Sequence, residues 1–160
     1  METLWSPWRM KYMMNPDPVQ DCIFCKALRE EDGPENLIVL RRNHAFVILN
    51  RYPYTTGHIM VVPYAHVDSI EALTPEARAE LMDLMAEMMV LLRDLYQPQA
   101  FNIGANIGKA AGAGVAGHVH MHVVPRWSGD TNFMSTIGET RVLPEELEVT
   151  YRRIRERLAR

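Results

Sequence analysis

Three histidines recur at every second position in His118-Val119-His120-Met121-His122-Val123-Val124. In an extended strand alternate side chains share a face, so the three imidazoles are expected to line one floor at steps of about 6.6 Å, with Val119, Met121 and Val123 entering the core. Neutral imidazole is a good nucleophile toward phosphorus near neutral pH, because its reference pKa of about 6.5 leaves a lone pair free. On that reading the central His120 attacks, while His118 and His122 hold phosphate oxygens or give a proton to the departing group. Upstream, the stretch from Asn106 to Gly117 sets Gly108, Gly112, Gly114 and Gly117 among alanines. Such a loop can bring its backbone close to a ligand, and the N–H groups of Gly112 to Gly114 are expected to take up charge on a phosphorane-like transition state. The plainer alternative is a lone metal site or a set of satisfied histidines.

Cys22 and Cys25 are the only cysteines, and a C-x-x-C pair in a reducing compartment reads as metal ligation or redox chemistry. A pair of reduced buried thiols is the further alternative. A thioredoxin-like role is disfavoured, because no βαβ pattern surrounds the pair. A formal net charge of −3 argues against a sequence-independent grip on nucleic acid. No apolar run approaches the roughly 18 to 20 residues that cross a bilayer, and Met1 to Tyr12 lacks the apolar core of a signal peptide. No nucleic-acid partner, no membrane and a cytoplasmic location are therefore expected.

The elements that must position these groups are legible as patterns. Leu37 to Leu40, Ala45 to Leu49 and His58 to Val62 are short β-rich runs parted by turn residues, which predicts consecutive antiparallel strands. Phe101 to Ala105 and His118 to Val124 add two more. Thr74-Pro75 is a helix start, and apolar residues from Ala77 to Leu95 recur at three- and four-residue steps until Pro98. Glu145 to Arg160 reads as a charged C-terminal helix. The expectation is an α+β pattern of five strands and two helices, made by one domain over residues 1–160. It has an arm at 1–21, a core at 22–128, and a loop and helix at 129–160.

The run from His118 to Val124 fits the histidine-triad signature of His, apolar, His, apolar, His, apolar, apolar without mismatch, so the chain resembles the histidine triad (HIT) superfamily. The likeness extends through Cys22-Ile23-Phe24-Cys25, Asn50, the strand Gly57 to Pro63, and Ala111-Gly112. It implies a five-stranded antiparallel sheet, a homodimer, and nucleotidyl transfer through a nucleotidyl-histidine. His120 would be the nucleophile, and His122 would contact the α-phosphate and assist the leaving group. Asn50 would hold the ribose, Ile48 and Met60 would wall the base, and Asn106, Gly112 and Gly114 would border the phosphates. Gly114 stands where the fragile-histidine-triad branch has a hydroxyl residue, and Asn106 aligns with that branch's Gln only after one extra loop residue. The segments Leu4 to Met10, Ala110 to Val115 and Pro125 to Met134 are similar to bacterial diadenosine tetraphosphate phosphorylases. That branch implies a small-molecule nucleotide substrate with inorganic phosphate as acceptor, and a divalent cation can accompany the polyphosphate. The alternatives are a hydrolase using water, on a dinucleoside polyphosphate or a nucleoside phosphoramidate, and a non-catalytic nucleotide-binding module. Relatives also imply that Cys22, Cys25, His66 and His118 hold a structural zinc. Lys109 or Arg126 is a candidate to attract the polyphosphate.

Overall fold

The computed structural model describes residues 22–131 and 144–160. The expected N-terminal arm at 1–21 and residues 132–143 of the C-terminal loop, Asn132 to Met134 among them, lie outside the described residues. Five strands, β1 (Ile38–Arg41), β2 (Ala45–Leu49), β3 (Ile59–Pro63), β4 (Ala100–Gly104) and β5 (Met121–Arg126), form one sheet in the order β1-β2-β3-β5-β4. Every pairing in it is antiparallel. Among the described residues three α-helices accompany the sheet: α1 (Ile23–Arg29), α2 (Pro75–Tyr96) and α3 (Leu147–Leu158).

β2 and β3 are buried at every position, as their unbroken apolar sequences require. α2 packs on β2, β3 and β5 through the expected apolar stripe, with Leu81, Leu84, Met88 and Leu92 all buried. It starts where Thr74-Pro75 predicts, since the Thr74 hydroxyl accepts from the Ala77 N–H at 3.2 Å. It stops where Gln97 turns left-handed at φ 47° and Pro98 follows. Directly opposed residues share a sheet face, so the register Ile48↔Met60↔His122↔Gly104 lays one row across four strands. The candidate site is built on this row.

Two features differ from the sequence expectation. The last strand begins at Met121 and runs to Arg126, so His118 to His120 precede it in irregular chain. The ladder with β3 reaches Val61↔Met121, and Pro63, the residue that would next oppose Val119, has no N–H to extend it. Val119 instead donates to the Val67 carbonyl at 2.7 Å. The second difference is α1, which makes three α-helices among the described residues where two are expected. It has 7 residues, too few for a helical period to stand out.

Gly57 illustrates a constraint that reaches the site. At φ +78° it turns the chain into β3, and a Cβ there would meet Leu92 at 3.2 Å and Pro125 and Tyr96 at 3.4 Å. Glycine therefore lets the chain pass close against α2 and Pro125, with His58 following immediately before β3.

Met88 is fully buried and Met82 is 63% exposed on the same helix. Met88→Ala is expected to lower unfolding free energy by about 2–5 kcal/mol and Met82→Ala by less than about 0.5 kcal/mol, read by urea denaturation. Equal costs would contradict this packing.

Candidate active site and metal cluster

A neutral imidazole carries one ring proton, so a hydrogen bond at one nitrogen decides what the other can do. His118 is fully buried, and its Nε2 donates to the Pro63 carbonyl at 2.9 Å. Nδ1 is then left with its lone pair, which faces Cys22 Sγ at 3.3 Å and Cys25 Sγ at 3.7 Å. His66 Nδ1 lies 3.3 Å from Cys25 Sγ. All four ligand atoms fall within 4.8 Å of one another, and both cysteines are free. A tetrahedral ion with bonds of about 2.3 Å to sulfur and about 2.0–2.1 Å to nitrogen separates S and N by about 3.6 Å, so the donor set fits a metal. Burial, with the Cys22 thiol beside it, pushes the Cys25 thiol up to about 11, and a bound cation would take the place of that proton.

His120 uses the backbone of the same residue. Its Nδ1–H donates to the His118 carbonyl at 2.8 Å, which leaves the lone pair on Nε2. The ring is 5% exposed, and loss of solvation pushes its pKa below the ordinary histidine value, so it is neutral at pH 7. Phe24 on α1 packs against both rings, with centroids 5.3 Å from His118 and 5.0 Å from His120.

His122 is set by a relay. The Tyr54 backbone N–H donates to His58 Nδ1 at 3.0 Å, so His58 carries its proton on Nε2. That proton is given to His122 Nδ1 at 2.9 Å; the Asn50 Nδ2 amide, itself a donor, lies 3.4 Å away and cannot accept it. The proton of His122 is then on Nε2. The His120 and His122 rings meet edge to face at 4.9 Å, which sets a lone-pair nitrogen beside an N–H donor. One is equipped to attack an electrophile and the other to donate a hydrogen bond to what leaves.

Both rings line a cleft of ≈ 980 Å³. Ile48, Asn50, Met60, Asn106, Gly112 and Gly114, all singled out in the sequence, line it too. His118 is not among the lining residues, so the expected floor of three imidazoles is corrected to two, with the third turned into the cysteine cluster. The reason is the early end of the β3–β5 ladder, which frees His118 from strand alternation. The glycine loop also departs from expectation. The N–H of Gly112 donates to Lys109 O at 3.0 Å and that of Ala113 to Gly108 O at 3.3 Å, so two of the three proposed donors are engaged within the loop. Lys109 and Arg126 do not line the cleft; Arg126 clasps Asp130 at 2.6 and 2.7 Å. Arg51 and Lys26 line it instead.

Sequence reasoning missed Ile23, Phe24, Ala27 and Leu37 as cleft walls, and His58 as the partner of His122. The apolar pair between the two cysteines was the available signal for α1. Nothing in the sequence around His58 names His122, 64 positions away, as its partner.

The family model of the HIT domain matches residues 33–129, and the chain belongs to that family. It is 38% identical over 162 residues to the AP-4-A phosphorylase of Mycobacterium tuberculosis, a match covering 95% of this chain and 82% of that protein. It is similar to the crystal structure of a zinc-bound histidine triad family protein from Mycobacterium smegmatis, with TM-score 0.69, 28% identity, and 88% and 95% of the two chains covered. A hypothetical histidine triad nucleotide-binding protein from Sulfolobus tokodaii matches with TM-score 0.69 and 28% identity, over 86% of this chain and 92% of that one.

The double variant Cys25→Ser/His66→Ala removes two of the four ligands. It is expected to lose bound metal in elemental analysis and to melt at the temperature of chelator-treated wild type. Metal content equal to wild type would contradict the cluster.

Proposed function

We propose that the chain cleaves a dinucleoside polyphosphate such as diadenosine tetraphosphate in two steps, through a nucleotidyl-His120 intermediate that inorganic phosphate then discharges. The observation that carries this reading is the pairing of the His120 Nε2 lone pair with the His122 Nε2–H in one cleft. The 38% identity to an AP-4-A phosphorylase supports the substrate class.

In the first step His120 Nε2 attacks the α-phosphorus, a P–N bond forms, and the bond from phosphorus to the polyphosphate oxygen breaks. The His122 Nε2–H donates a hydrogen bond to that oxygen, which leaves as the anionic terminus of ATP, so no proton changes hands. In the second step a phosphate oxygen attacks the same phosphorus, the P–N bond breaks, and His120 regains its lone pair. Diadenosine tetraphosphate plus phosphate thus yields ATP plus ADP. Ile48 and Met60 wall the base from the sheet row, Asn50 holds the ribose, and Asn106 and Gly114 border the phosphates. The amide of Asn50 is oriented for this by the Tyr52 N–H, which donates to Oδ1 at 2.9 Å. A divalent cation can travel with the polyphosphate.

His118 serves indirectly in this reading, through its carbonyl on His120. Zinc suits the two-cysteine, two-histidine donor set, and four protein ligands leave no position for substrate, so its contribution is to hold α1 against the triad. We also propose a homodimer using the β4 edge, where Ile103 and, just beyond, Ile107 are 46% and 42% exposed. Light scattering is expected to give twice the chain mass, and a monomer at working concentration would contradict that assembly. No helix among the described residues is long and apolar enough to cross a membrane.

Anion-exchange analysis of diadenosine tetraphosphate reactions tests the chemistry. Phosphate-dependent ADP plus ATP is the expected result. AMP plus ATP without phosphate would replace phosphorolysis by hydrolysis, and no cleavage by folded, metal-loaded protein would overturn the reading. The pH profile is a second check. Burial disfavours the charged form of His120, so its lone pair survives as pH falls to 6.5 and is lost only below. The acid limb of kcat/KM is expected to have its midpoint below 6.5. A midpoint above 7 would contradict a buried neutral nucleophile.

A further inference from the structure

The loop between β2 and β3 touches the site three times through its backbone or edges. The Tyr52 N–H orients Asn50, the Tyr54 N–H sets the tautomer of His58, and Arg51 lines the cleft with its Nη2 held by the Glu35 carbonyl at 2.6 Å. The side chains of Tyr52 and Tyr54 remain 48% and 39% exposed, and both line the same cleft. Large aromatic rings left this open at a cleft mouth suit stacking, which accepts any base because every base presents a π face.

Their position fixes which base. The apolar wall of Phe24, Ile48 and Met60 takes the nucleoside whose phosphorus is attacked. The Tyr54 ring packs at the His122 end of the reacting pair, whereas Phe24 packs against His120. The Tyr54 ring is 4.6 Å from His58 and 6.1 Å from His122, and it runs at 21° to the His122 ring, the group whose N–H meets the departing oxygen. Arg51, in the same loop, lines the cleft and offers a guanidinium to the phosphates. We propose that Tyr52 and Tyr54 form an aromatic rim on which the base of the departing nucleotide stacks, so that the cleft favours substrates with two nucleosides over those with one. This rests on the dinucleoside polyphosphate reading above and adds a second base subsite to it.

The test is equilibrium binding of two uncleavable ligands: a methylene-bridged analogue of diadenosine tetraphosphate, and the same analogue lacking its second adenosine. Wild type is expected to bind the two-base ligand about tenfold tighter, within the range for stacking one base on aromatic side chains. Tyr52→Leu/Tyr54→Leu is expected to lose that ratio and Tyr52→Phe/Tyr54→Phe to keep it. Both ligands are measured on each variant, so a general disturbance at His58 cancels in the ratio. If the double leucine variant does not fold by circular dichroism, Tyr52→Leu alone is expected to reduce the ratio by severalfold. A ratio near one in wild type, a ratio retained without the rings, or one lost in the phenylalanine variant would each overturn the rim. Failure of the catalytic reading is a separate outcome: preference for the two-base analogue without turnover of diadenosine tetraphosphate.

Discussion

The constraint on which the site depends is that a neutral imidazole has one proton for two nitrogens. Backbone groups make the choice at three of the four rings involved. The Pro63 carbonyl takes the His118 proton and turns the lone pair of that ring toward two thiols. The His118 carbonyl takes the His120 proton and exposes a lone pair in the cleft, and the Tyr54 N–H forces His58 to pass its proton toward His122. The Pro63 carbonyl belongs to β3, the peptide between His118 and Val119 is tied to the Val67 carbonyl at 2.7 Å, and Tyr54 lies in the β2–β3 loop, so the fold dictates protonation states rather than merely gathering residues.

The metal cluster and the cleft share a boundary for the same reason. His118 belongs to both, with its ring in the cluster and its carbonyl on His120. Phe24 sits in α1 between the two cysteines and packs on both histidines. Holding α1 by Cys22 and Cys25 therefore also holds the apolar wall made by Ile23, Phe24 and Ala27. Leu37 completes that wall in a left-handed conformation at φ 66°, a geometry unusual for leucine and sustained by burial and by its N–H bond to Gly33.

Much of this was legible in the sequence where a period or a cap was involved. The five strands, the long helix from Thr74-Pro75 and the C-terminal helix follow from alternation, helical spacing and capping chemistry. The four-ligand cluster and a part of the cleft lining followed from resemblance rather than from spacing. What could not be read were features made by tertiary contact. The strand period predicts three histidines on one face, but a ladder cut short at Pro63 turns one of them away. His58 acquires its role only when β3 pairs with β5. The N–H groups of Gly112 and Ala113 were offered to a ligand on sequence grounds, and a local turn that glycine itself permits engages them first.

The central claim is that His120 Nε2 becomes covalently bonded to phosphorus, and the most direct measurement is to trap that bond. Protein mixed with diadenosine tetraphosphate in the absence of phosphate, quenched within one turnover and digested under alkaline conditions, is examined by peptide mass spectrometry. The account predicts an adenylyl group on His120 that disappears as ADP when phosphate is added before the quench. Turnover with no adduct, or with the adduct on another residue, would contradict it.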